Sequence, residues 1–276
     1  MSKNNLILIG KRSFIGSNIY NLLKKSKKIK LVSLDNFLKL KTSYINKYDY
    51  LCNCTDNKNK LKKNYSDLFD YDFKILEKVR DIQIKYIFLS SRRVYSPKFN
   101  TKETQKILPV DIYSKNKFIT EQILKKEIKS RLLILRISNV MGLKKFKKYR
   151  KIHQTFFDNY LEIVKKRKKT NFINFYKDFI TIKQLAKIFN LILEKKIIGT
   201  YNVSLGKKIY IKEIITWLNT HNLNNNIFYE EKKNKQYLEK YSFTLNNNKI
   251  YKKINYKPQK KELKNYCIEL SKKIHK

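Results

Sequence analysis

The run Leu6-Ile7-Leu8-Ile9 has no polar face, and it passes directly into Gly10-Lys11-Arg12-Ser13-Phe14-Ile15-Gly16 and then into apolar residues at helical spacing, Ile15, Ile19, Leu22 and Leu23. A strand apolar on both sides has to be covered on both sides. Nature does this with parallel sheets sandwiched between helices. The same alternation recurs downstream. Strand signals lie at Leu31-Val32-Ser33-Leu34, ending at Asp35, and at Tyr50-Leu51-Cys52, Tyr86-Ile87-Phe88-Leu89 and Leu132-Leu133-Ile134-Leu135. Helical periodicity fills the gaps, as at Ile119, Ile123, Leu124 and Ile128. The expected fold class is therefore α/β, a Rossmann-like doubly wound parallel sheet, with its chemistry at the carboxyl ends of the strands.

From about residue 143 the pattern changes. Residues 143–170 form a basic stretch with an amphipathic helix expected over 156–164. A strand near 172–175, a helix near 182–193, a strand at 200–203 and a helix near 211–218 follow. Residues 222–253 are polar, rich in Asn and Lys, and give no assignment. With no internal repeat and no Pro/Gly linker, the chain divides into 1–142 and a smaller, interleaved α/β part, 143–276, with part of 171–203 expected to return to the first.

The formal net charge of +42 invites a nucleic-acid reading. Yet 56 of the 64 basic residues are Lys and only 8 are Arg, and they run from Lys3 to Lys276 without gathering into a block. Abundant Asn, Ile and Tyr accompany them, as A/T-rich codons would produce. Nucleic acid is not the expected partner. No apolar stretch reaches the roughly 18–20 residues of a membrane span. Met1-Ser2-Lys3-Asn4-Asn5 leaves no room for a signal peptide before the first strand, so a cytoplasmic location is expected. Cys52, Cys54 and Cys267 lack metal or redox spacing, and no metal site is expected.

The segment from Gly10 to Gly16 sits where a dinucleotide pyrophosphate meets a helix N-terminus. Gly10 permits a tight turn and Gly16 a close helix–strand approach. Ser13 stands where a middle glycine is usual, and its hydroxyl could donate to phosphate. Arg12, Phe14 and Ile15 complete the expected cofactor-binding turn. Asp35 is placed to accept from ribose hydroxyls, which favours NAD, whereas Lys11 and Arg12 would suit the extra phosphate of NADP. NAD is the first expectation and NADP the alternative.

Tyr113-Ser114-Lys115-Asn116-Lys117 puts Tyr113 and Lys117 at i and i+4, on one helix face. A tyrosine ionises near pH 10, and a nearby cation such as Lys117 would bring it closer to neutrality. Ser91, beyond the strand at 86–89, could polarise a substrate oxygen. Taken alone, this spacing in a chain rich in Tyr and Lys reads as readily as two amphipathic residues on a half-buried helix.

Four features in order resemble the extended short-chain dehydrogenase/reductase family, in its nucleotide-sugar epimerase, dehydratase and reductase branch. They are Gly10–Gly16, Ser90-Ser91-Arg92-Arg93-Val94-Tyr95, Tyr113–Lys117, and Leu135-Arg136-Ile137-Ser138-Asn139-Val140-Met141-Gly142. Lys177-Asp178-Phe179-Ile180-Thr181-Ile182, Gly199-Thr200-Tyr201-Asn202-Val203 and Tyr256-Lys257-Pro258 continue the match. The resemblance implies that 1–142 binds the dinucleotide and 143–276 mainly the substrate, a nucleotide-activated sugar. It implies Tyr113 as acid/base, Lys117 as its partner and ribose clamp, Ser91 as third catalytic member, and Asn139 as a substrate contact. It also implies that residues 144–169 face a nucleotide diphosphate, that homodimers are common, and that the setting is surface polysaccharide or deoxysugar synthesis.

Departures narrow the chemistry. Arg92-Arg93 stand where sugar-nucleotide 4,6-dehydratases carry an acidic pair, so dehydration is disfavoured against epimerisation or reduction. Met141, Leu143 and Lys183-Gln184 also differ from family habit, and the short chain leans toward a reductase. The rival class is a non-catalytic dinucleotide-fold module with a basic surface for RNA or protein.

Overall fold

The computed structural model describes residues 4–143, 156–166, 172–221, 231–232 and 235–274. The first half runs β1 (Leu6–Ile9), α1 (Phe14–Leu23), β2 (Ile29–Val32), α2 (Leu34–Leu38), α3 (Thr42–Ile45), β3 (Tyr50–Asn53), α4 (Lys58–Lys62), α5 (Tyr71–Val79), β4 (Lys85–Ser91), α6 (Ile112–Ile128) and β5 (Leu132–Ile137). Then come β6 (Asn139–Met141), α7 (Phe156–Lys166), β7 (Phe172–Ile173), β8 (Tyr176–Lys177), β9 (Phe179–Thr181), α8 (Ile182–Glu194) and β10 (Gly199–Val203). The chain closes with β11 (Ile209–Tyr210), α9 (Ile211–Leu218), β12 (Glu231–Lys232), α10 (Lys235–Tyr241), α11 (Asn248–Ile254) and α12 (Lys260–Ile274).

Six strands form one sheet in the order β10-β5-β4-β3-β1-β2, and each pairing is parallel. The apolar strands explain the layering. Leu6 and Leu8 join one core with Ile19, Phe189 and Ile250, whereas Ile7 and Ile9 join the opposite core with Phe37, Ile75 and Leu124. Period-two side chains thus bury α1, α8 and α11 on one face and α2, α5 and α6 on the other. The chain leaves β1 for β2 on one side and crosses back to β3 on the other. That reversal makes a crevice at the carboxyl ends of β1 and β3.

β10 returns to the sheet beside β5, in register from Gly199 opposite Leu133 to Val203 opposite Ile137. A third core lies outside the sheet, where Met141, Phe157, Phe179, Ile214, Leu263 and Cys267 are buried together. Asp178 ties this part to the sheet. Its carboxylate accepts from the amides of Leu205 at 3.0 Å, Gly206 at 3.1 Å and Leu245 at 3.0 Å. Among the described residues no helix is long and apolar enough to cross a membrane.

The structure corrects the sequence reading in two places. β2 stops at Val32, and Asp35 lies in the first turn of α2 instead of at the strand end. The cause is Ser33, whose hydroxyl caps α2 by accepting from the Asn36 amide at 3.3 Å. The single strand expected near 172–175 is two short ones, β7 and β8, separated by Asn174 and Phe175. Most of the basic stretch 144–169 lies outside the described residues, its described portion being α7.

Candidate active site

A cavity of about 1800 Å³ opens along the carboxyl ends of β1, β3, β4 and β5. That exceeds the roughly 300–1000 Å³ of a pocket for one small ligand and leaves room for two. Gly10 to Ile15 line one end together with Ser33, Leu34 and Asp35. Ser91, Tyr113, Lys117 and Asn139 line the same cavity, so the structure brings together every site residue read from the sequence except Gly16, which lies behind the turn.

The glycine turn is built tightly. Gly10 holds φ +125°, which a side chain rarely tolerates, and a Cβ there would sit 2.8 Å from Ser13 Oγ. A Cβ on Gly16 would fall 2.9 Å from the Gly10 carbonyl oxygen and 3.1 Å from Cys54 Cβ. Ser13 is the N-cap of α1, its Oγ accepting from the Gly16 amide at 2.9 Å. The amides of Phe14 and Ile15, in the first turn, have no intrahelical acceptor. A close-packed turn, first-turn donors facing the cavity and a carboxylate at Asp35 fit a dinucleotide.

Tyr113 and Lys117 come from the first two turns of α6. The helix starts sharply because Asp111 accepts from the Ser114 amide at 2.9 Å while Ser114 Oγ accepts from the Asp111 amide at 3.2 Å. Lys117 is buried and reaches Asp56, beyond β3, at 3.1 Å. Burial works against its charge, but Asp56, Tyr113 and Asp72 together raise its pKa above the ordinary lysine value, so it is an ammonium. Burial also raises Tyr113, as does Asp56, against the opposing pull of Lys117, Ser91 and Arg93. The phenol is therefore protonated at neutral pH, where spacing alone suggested a lowered value. Ser91 hydrogen-bonds Tyr113. Its oxygen also caps the single turn 92–94 by accepting from the Arg93 amide at 3.2 Å.

Several residues of this site escaped the sequence reading. Asp56 is one, although its place just past a strand's carboxyl end was the available signal. Asn116 is another, its amide holding the carbonyls of Lys60 at 2.6 Å and Lys63 at 2.8 Å and so fixing α6 against α4. Lys177 enters the cavity from β8. Asn139 does line it, yet its side-chain amide donates to the Asp178 carbonyl at 2.9 Å.

Solved structures share this architecture end to end. A UDP-N-acetylglucosamine 4-epimerase from Methanobrevibacter ruminantium M1, in complex with UDP-N-acetylmuramic acid, superposes with a TM-score of 0.77 at 20% identity, over 99% of this chain and 98% of that one. The ADP-L-glycero-D-manno-heptose-6-epimerase of Helicobacter pylori matches with a TM-score of 0.77 at 19% identity, over 99% and 97%. A UDP-glucose 4-epimerase from Bifidobacterium longum, in complex with NAD+ and UDP, matches with a TM-score of 0.76 at 17% identity, over 98% of each chain. At these identities the likeness is one of fold. The family model is more specific, because it runs from the first strand of the sheet to just past the last, over residues 6–204, and takes in the glycine turn, Ser91, Tyr113 and Lys117. With most of its length matched, this chain belongs to the NAD-dependent epimerase/dehydratase family of enzymes.

Proposed function

We propose that this enzyme carries out NAD(P)-dependent chemistry at a carbinol or carbonyl carbon of a nucleotide-activated sugar, as an epimerase or a reductase and not as a 4,6-dehydratase. The observation that carries this reading is the convergence of Ser91, Tyr113 and Lys117 on one cavity with the glycine turn and Asp35. The likeness to sugar-nucleotide epimerases along the whole chain supports it. The nicotinamide, when bound, supplies or accepts the hydride. Gly10 to Ile15 would hold the pyrophosphate and Asp35 the adenosine ribose, with NAD preferred over NADP.

Tyr113, protonated at neutral pH, gives its proton to the oxygen of a sugar carbonyl during reduction. Lys117 steadies the phenolate that remains, and Ser91 donates to the same substrate oxygen. In the oxidising direction the same groups take the proton back. Dehydration needs a free acid/base pair beside Ser91. Arg92 and Arg93 occupy that place, and the nearby carboxylates of Asp56 and Asp111 are held by Lys117 at 3.1 Å and Arg93 at 2.5 Å. The setting proposed is the cytoplasm, in surface polysaccharide or deoxysugar synthesis.

The test is the cofactor balance of the purified enzyme with a panel of sugar nucleotides. A reductase oxidises one NAD(P)H per sugar, whereas an epimerase shows no net change. Tyr113→Phe should lower kcat by about 10²–10⁴-fold with cofactor affinity kept, as for loss of a general acid. Native mass spectrometry finding neither a nicotinamide cofactor nor a sugar nucleotide bound would sink the reading.

A further inference from the structure

The wall of the cavity beside Tyr113 carries more positive charge than its carboxylates can match. Arg92, Arg93 and Lys177 all line it, and among the described residues Asp111 is the one lining carboxylate at this end, since Asp35 lies at the glycine turn and Asp56 is taken by Lys117. Asp111 is committed to Arg93 at 2.5 Å. Arg92 has no carboxylate within ion-pair distance among the described residues; its guanidinium carbon lies over the Phe243 ring, 3.6 Å from the ring centre. Lys177 too has no carboxylate within ion-pair distance among the described residues, and it rests on the Phe175 ring at 4.9 Å. Burial and the neighbouring Arg93 push Arg92 down to about 9, and burial with Arg92 and Arg93 pushes Lys177 down to about 8. The three cations repel one another in a half-buried wall.

Such a cluster is costly to keep unless something negative enters it. Arg92 and Lys177 each lie against an aromatic ring while lining the cavity, and a planar guanidinium is the group best shaped for a carboxylate. Position decides which part of a ligand it meets. Arg92 directly follows Ser91, and the Arg93 guanidinium lies 5.2 Å from the centre of the Tyr113 ring. The charge is therefore at the reacting end, where the sugar ring must lie for Ser91 and Tyr113 to touch its oxygen.

We infer that the substrate's sugar is itself acidic, a hexose bearing a carboxylate that Arg92 and Lys177 receive beside Tyr113. This deepens the sugar-nucleotide reading and rests on it. A neutral hexose would leave both cations without a counter-charge. An acidic one would neutralise them and be held in a fixed orientation by the same contact.

Binding to the NAD-loaded enzyme tests this in two stages. Calorimetric titration with UDP, GDP, ADP, dTDP and CDP identifies the nucleotide that is bound. The hexose and hexuronate conjugates of that nucleotide are then compared. The hexuronate is expected to bind at least about tenfold more tightly, as for one added charge-assisted contact. Arg92→Gln and Lys177→Gln should each erase most of that preference while leaving the affinity for the bare nucleoside diphosphate and for NAD intact. Retained NAD binding shows that a variant has folded, and Lys177→Gln carries the test if Arg92→Gln fails there. Equal affinity for the two conjugates would overturn the inference. So would a variant that weakens the bare diphosphate as much as the hexuronate, because the cations would then serve the diphosphate. If NAD binds and no nucleoside diphosphate does, the sugar-nucleotide reading fails and this inference falls with it.

Discussion

Lys117 is held charged by a carboxylate that also raises its neighbour. Asp56 lifts both Lys117 and Tyr113, so replacing it has a definite sign. In Asp56→Asn both groups should titrate lower than in the native enzyme. The limb of the kcat/KM pH profile that reports Tyr113 should move to lower pH, and a limb that stays put or moves up would refute the coupling. Stability should also fall, by about 1–3 kcal/mol, because a buried ammonium loses its counter-charge. At the other end of the cavity, Asp35→Ser should raise the affinity for NADP relative to NAD by about tenfold or more. The carboxylate there would otherwise repel the extra phosphate, and unchanged relative dissociation constants would show that Asp35 does not face the ribose.

At the scale of the element, α6 is bound to the sheet by a buried charge network. Glu121 accepts from Ser90 of β4 at 2.5 Å and takes a two-point contact from Arg136 of β5 at 3.0 and 2.6 Å. Arg136 also reaches Tyr95 at 2.5 Å, and Tyr95 in turn donates to Asn202 of β10 at 3.1 Å. Glu121→Ala should cost about 3–5 kcal/mol in denaturant unfolding, since Arg136 is left buried without its carboxylate. Asp178 makes a prediction in pH. Burial raises its carboxyl to about 7, against the pull of the Leu245, Gly206 and Leu205 amides and the Ser204 hydroxyl. In the unfolded chain it titrates near 3.9. The stability it confers is therefore complete below about pH 3.9 and is lost as pH rises through about 7, by on the order of 2–3 kcal/mol between pH 5 and 8. Melting curves of Asp178→Asn should lack that slope, and an unchanged slope would rule the assignment out.

The same elements show what the sequence can reveal. Strands β1, β3, β4 and β5 were legible because each is built on an apolar run buried on both faces, and helices α8 and α9 because their apolar stripes are broad. Helix α12 was not, since it buries only Leu263, Cys267, Leu270 and Ser271 along fifteen residues otherwise dominated by charge. Helix α11 was hidden in the same way, with Ile250, Tyr251 and Ile254 set among Asn and Lys. In the site, Ser91, Tyr113 and Lys117 could be read from their order along the chain. The pairing of Lys117 with Asp56 could not, because the contact joins residues 61 apart and exists only once β3 and α6 are set side by side.

At the scale of the whole molecule, the sheet is finished late. β10 covers the flank of β5 only after the chain has passed through α7, β9 and α8. Until then Leu132–Ile137, buried along its full length in the finished protein, presents a row of open amides and carbonyls. Such an edge recruits strands from other chains. A fragment ending at residue 142 should accordingly aggregate when made alone, as judged by sedimentation, and co-refolding with residues 143–276 should recover soluble material. Premature chain termination between β5 and residue 199 would thus yield sticky debris instead of a smaller working enzyme.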